Sequence, residues 1–97
     1  LLLACAPAKQ IYKPSGADKA WEISGEFKDH TNELTIRING APVIKGTVDH
    51  RRGKDTLTGS YEGRAISTTC VSVANYLVPQ EQCTVLVDGE QAAVLTF

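Results

Sequence analysis

The chain is predicted to fold as an all-β protein, a single small antiparallel barrel or sandwich of about seven strands. Three observations predict this. Apolar and polar residues alternate strictly over short runs, as in Trp21-Glu22-Ile23-Ser24-Gly25-Glu26-Phe27 and Leu34-Thr35-Ile36-Arg37-Ile38, which is the period of a half-buried strand. Turn pairs separate these runs: Asn39-Gly40 and Asp88-Gly89, residue types that tolerate the left-handed backbone of tight hairpins, with a further tight turn near Glu62-Gly63. No stretch sustains a helical period. With 97 residues the chain holds one domain at most.

Taken in order, strands are expected over residues 21–27, 33–38, 43–49, 56–61, 64–73, 83–87 and 92–97. Lys28 to Asn32 supplies the first turn. At Asn39-Gly40 two signals conflict. A two-residue loop there sets Leu34 opposite Lys45. A loop of three or five residues instead places Leu34, Ile36 and Ile38 on the face of Ile44, Gly46 and Val48. One register step exchanges the two faces of a strand, so the odd loop is expected, and its five-residue form sets Asn32 opposite His50. His50 to Asp55 is a second polar loop. Beyond it Leu57, Gly59 and Tyr61 share a side, and a tight turn at Glu62-Gly63 adds Ile66 and Cys70 to that side.

One pattern recurs: Ile23-Ser24-Gly25-Glu26-Phe27, Ile44-Lys45-Gly46-Thr47-Val48 and Leu57-Thr58-Gly59-Ser60-Tyr61. Each is apolar, polar, Gly, polar, apolar, with the glycine on the apolar face. Such a glycine lets a strand coil sharply toward barrel closure, the use expected here, or it leaves room inside. Leu57-Thr58-Gly59-Ser60-Tyr61-Glu62 is also similar to a strand of the avidin family. The overlap is six residues and the chain is too short for that eight-stranded cup, so no biotin site is transferred.

The three cysteines are Cys5, Cys70 and Cys83. Cys5 stands in Leu2-Leu3-Ala4-Cys5, which resembles the lipobox of bacterial lipoproteins. That resemblance implies cleavage after Ala4, diacylglyceryl attachment to the Cys5 sulfur, and anchoring in the cell envelope. With Ala6 rather than Asp after the cysteine, family sorting implies the outer membrane, facing the periplasm. On this reading residues 1–4 are the remnant of a signal peptide, 5–19 a lipid-anchored flexible tether rich in Pro, Lys, Ser and Gly, and 20–97 the β-domain. The exported setting permits a disulfide. Cys70 and Cys83 are expected to form one, stabilising a small core by about 3 kcal/mol in the chain-entropy model.

Net charge is -1, which removes the usual electrostatic argument for nucleic-acid binding, and no nucleic-acid partner is expected. No run of eighteen apolar residues provides a membrane-spanning helix. No catalytic motif stands out, and the chain is expected to be no enzyme and to carry no cofactor. Three weaker features remain. Asp29-His30 and Asp49-His50 are repeated pairs whose imidazoles and carboxylates could ligate a metal; two solvated polar turns are the plainer reading. Arg51-Arg52-Gly53-Lys54 is a basic loop tip able to touch anionic lipid or polysaccharide. Tyr76 and Leu77 sit in an apolar stretch suited to a partner surface or to a buried strand end. The expected function is a lipid-anchored envelope protein acting as a binding or scaffolding module, its partner an envelope protein or polysaccharide. The alternative is a metal-binding protein or metal-dependent enzyme using the Asp-His pairs.

Overall fold

The computed structural model describes residues 8–28, 30–49, 54–73 and 80–97. These residues contain eight strands: β1 (Ala8–Tyr12), β2 (Trp21–Lys28), β3 (Glu33–Ile38), β4 (Ala41–Thr47), β5 (Lys54–Tyr61), β6 (Arg64–Val73), β7 (Gln80–Val87) and β8 (Glu90–Thr96). They form two four-stranded antiparallel meanders, β1-β2-β3-β4 and β5-β6-β7-β8. The two sheets face each other as a sandwich, not a closed barrel. Alternation explains the layering. One parity of β2, β3, β6, β7 and β8 is buried, and β4 adds Ile44, giving Ile23, Leu34, Ile36, Ile38 and Ile44 from the first sheet and Ile66, Cys70, Cys83, Val85, Val87 and Leu95 from the second. At the end of the sandwich where β1 ends and β2 begins, Trp21 closes the core, packed edge-on against Tyr12 and Tyr61 at centroid distances of 6.5 and 5.0 Å.

The expected strands are all present, and β1 is an addition. Five residues of the stretch read as a flexible tether, Ala8–Tyr12, pair along their length with β2, from Ala8 opposite Gly25 to Tyr12 opposite Trp21. The backbone supplies this pairing, and a sequence without a buried alternation gives no sign of it. Side chains hold β1 to the other sheet as well. The Tyr12 hydroxyl donates to Glu90 Oε1 at 2.9 Å, and the Val94 amide donates to Gln10 Oε1 at 2.9 Å.

The conflict at Asn39-Gly40 resolves in favour of both signals. The loop has two residues, with φ of 52° and 86°, and Ile38 pairs with Ala41. Arg37 then pairs with Pro42 but Ile36 with Ile44, so Val43 is an extra residue, a β-bulge. Beyond the bulge Leu34 lies opposite Gly46, the arrangement the hydrophobic pattern demands. The odd loop is therefore replaced by an even loop plus a bulge. The five-residue register is not adopted, since the Val48 amide donates to the Asn32 carbonyl at 2.8 Å. The β7–β8 hairpin repeats the device, with Asp88-Gly89 as the turn and Ala92 as the extra residue.

The recurring glycines sit where strands approach closely. A Cβ on Gly46 would touch Leu57 at 3.4 Å, and one on Gly59 would run into the carbonyl oxygen of Val43, so β4 and β5 nest through reciprocal notches. The notch at Gly25 holds Phe97, Leu95 and Ile36. The glycines thus leave room, filled by neighbouring chain, rather than closing a barrel.

Cys70 and Cys83 pair directly across β6 and β7 with Cα atoms 4.0 Å apart and are joined as a disulfide inside the core.

Candidate functional site: a polar cleft at the hairpin end

Four connections meet at one end of the sandwich: the loop from Lys13 to Ala20 and the turns Asn39-Gly40, Glu62-Gly63 and Asp88-Gly89. Between them lies an open cleft of ≈ 650 Å³ lined by Gly16 to Trp21, Asn39, Glu62 and Arg64, within the size range of small-ligand sites. Local chemistry builds its walls. The Asn39 side chain accepts from the Glu22 amide through Oδ1 at 2.9 Å and donates from Nδ2 to the Tyr61 hydroxyl at 3.3 Å. Arg64 donates to the Ser15 carbonyl at 2.9 Å and to Asp88 Oδ2 at 3.3 Å, tying the long loop to the second sheet. Asp88 in turn accepts from the Ala65 amide at 3.0 Å. Behind the wall, partial burial first, and then the hydrogen bond to Glu90, push the Tyr12 hydroxyl above its ordinary pKa.

Asn39 and Arg64 are thus committed to structure. Asp18, Lys19 and Glu62 make no side-chain hydrogen bond or ion pair among the described residues, and all three are exposed. Glu62 has a further peculiarity. Its φ of 50° lies in the left-handed region, which costs an ordinary L-residue roughly 1–2 kcal/mol. The corresponding turns carry Asn39 and Asp88 there, residues whose short side chains soften that cost. A glutamate held in a strained backbone at the lip of a cleft is the kind of local inconsistency that accompanies function. The lining offers charges of both signs and amide groups, a set suited to holding a polar ligand.

Among the described residues, none of the candidate site residues named from the sequence lines this cleft. His30 and Asp49 lie toward the opposite end. His30 is exposed in the β2–β3 turn, and the Asp49 amide donates to Asp55 Oδ2 at 2.8 Å. Asp29 and His50 lie outside the described residues, and among the described residues no group of three His, Cys, Asp or Glu is placed to hold a metal. Lys54 opens β5 opposite Val71. Arg51, Arg52, Tyr76, Leu77 and Cys5 also lie outside the described residues. Sequence reasoning missed Asp18, Lys19, Glu62 and Arg64; the only available signal was the acidic residue in Glu62-Gly63, where a hairpin of this kind favours Asn or Asp.

The chain matches no family model, no curated protein and no solved structure.

Proposed function

We propose that the chain is an exported, lipid-anchored protein of the bacterial cell envelope, at the outer membrane and facing the periplasm, whose sandwich is a non-enzymatic binding module. The disposition of the cysteines carries this reading. Cys70 and Cys83 are joined in the core, as an oxidising compartment allows. The remaining sulfur belongs to Cys5, in the Leu2-Leu3-Ala4-Cys5 stretch that resembles a lipobox. The hairpin-end cleft is the binding surface, with Asp18, Lys19 and Glu62 as the ligand-facing groups. The partner is an envelope protein or polysaccharide bearing polar and charged groups.

The test is incorporation of labelled palmitate in a bacterial host. The protein should label and fractionate with membranes, and Cys5→Ser should abolish both. Label that persists in Cys5→Ser would overturn the anchor. For the module, envelope extract passed over wild-type protein and over an Asp18→Asn/Glu62→Gln variant should yield a partner retained only by the wild type. Equal retention by the two would move the binding surface away from the cleft.

A further inference from the structure

The strands run up and down in sequence order, so each one's direction follows from its hairpins. The connections at 13–20, 39–40, 62–63 and 88–89 lie at the cleft end. At the opposite end β2, β4, β6 and β8 finish and β5 and β7 begin, and there Phe27 packs against Phe97 at 6.1 Å. β1 enters from that direction. Its first residue, Ala8, pairs with Gly25, and β2 continues past this point through Glu26, Phe27 and Lys28. Three residues of strand measure about 10 Å. Cys5 precedes Ala8 by three residues, a leash that spans at most about 10 Å when fully extended. The two lengths are equal. A lipid held on Cys5 can reach the level of Lys28 and hardly further, so the anchor has no slack with which to hold the domain off a membrane.

We propose that the end of the sandwich marked by Lys28, Thr31, Asp49 and Phe97 rests on the phospholipid headgroups, and that the Trp21 cleft points away from the bilayer. This rests on the lipid anchor proposed above and adds an orientation to it. The cleft meanwhile stands seven residues of β2 above Lys28, about 23 Å from the headgroups, open to a periplasmic partner.

Trp21 is the chain's one tryptophan and lies at the cleft end, so it reports that end directly. The lipidated protein is reconstituted into vesicles of phosphatidylethanolamine and phosphatidylglycerol carrying a headgroup spin label. Trp21 emission should be nearly unchanged by the label. A Thr31→Trp variant, at an exposed turn residue of the leash end, should lose most of its added emission, and Phe97→Trp should do the same if the turn variant folds poorly. Equal quenching of Trp21 and the added tryptophan would mean that the sandwich lies on its β1 edge and would overturn the orientation. So would a vesicle-bound protein in which neither is quenched. Flotation of the same vesicles is scored separately, because protein that fails to float removes the anchor itself and the orientation with it.

Discussion

Gly59 is the position where one added methyl group should do most damage. A Cβ there would run into the Val43 carbonyl oxygen and approach Ile44 Cγ1 to 3.1 Å. The first obstacle is backbone at the bulge of β4, which cannot rotate aside as a side chain can. Relief requires the β4–β5 nesting to open, and overpacking of that kind costs about 3 kcal/mol, the upper part of the usual range. Two sister glycines provide the scale. At Gly25 the nearest atom is the tip of the Phe97 ring at 2.9 Å, with Ile36 and Leu95 at 3.2 Å; side-chain tips can give way where backbone cannot, so Gly25→Ala should cost about 1 kcal/mol. At Gly46 the nearest atom is Leu57 Cδ1 at 3.4 Å, an ordinary contact. Gly46→Ala should therefore stabilise by about 0.5 kcal/mol through the lost freedom of the unfolded chain. In thermal unfolding followed by circular dichroism, Gly59→Ala should lower Tm by roughly 12–24 °C, since 1 kcal/mol corresponds to about 4–8 °C in a domain this small. A Gly59→Ala protein that melts with the wild type would refute the close approach of β4 to β5. So would a series in which Gly46→Ala is the worst of the three.

The remaining predictions concern the core and the cleft. Replacing both Cys70 and Cys83 by alanine should remove about 2–4 kcal/mol in urea unfolding, and the oxidised wild type should show neither sulfur reactive to maleimide. Thr68 is fully buried between Ile66 and Cys70 on β6, and its hydroxyl has no hydrogen-bond partner among the described residues; Thr68→Val, nearly the same shape, should raise stability by about 1 kcal/mol, and a loss would mean that the hydroxyl is bonded in solution. Glu62→Asn should raise the urea midpoint by relieving about 0.5–1 kcal/mol of left-handed strain while weakening partner capture, and a variant that gains stability and keeps full capture would leave Glu62 without a ligand role.

The fold was legible wherever burial dictates parity. Leu34, Ile36 and Ile38 had to face Ile44 and Gly46, and they do. What parity does not reveal is how the chain achieves it. An odd loop and an even loop with a bulge at Val43 leave the same residues on the same face, and only the second also satisfies the left-handed preference of Asn39-Gly40. Strand β1 was illegible for a different reason. Its pairing with β2 is made by backbone groups, its ties to Glu90 and Val94 join residues more than seventy positions apart, and Ile11 on it remains 67% exposed. No periodicity announces a strand that buries so little of itself.

The cleft was hidden by the same physics that makes it. Its residues come from a loop and two hairpin turns, and polar residues in such places are ordinarily just solvated. Nothing in one sequence brings Asp18 and Lys19 to Glu62 and Arg64; that proximity needs the Arg64 contact to the Ser15 carbonyl across the two sheets. Yet one trace was present. Among the described residues three hairpins use a residue followed by glycine with both in the left-handed region, and only the Glu62 hairpin puts a long, unbranched acid there. Asparagine would build that turn at lower cost but would replace the carboxylate at the cleft with a shorter, neutral amide. The backbone penalty and the reach therefore pull in opposite directions at this residue. A turn built for backbone stability alone would resolve the conflict as Asn39 does, so on the proposed binding role Glu62 keeps its carboxylate at the lip of the cleft at a cost in backbone energy.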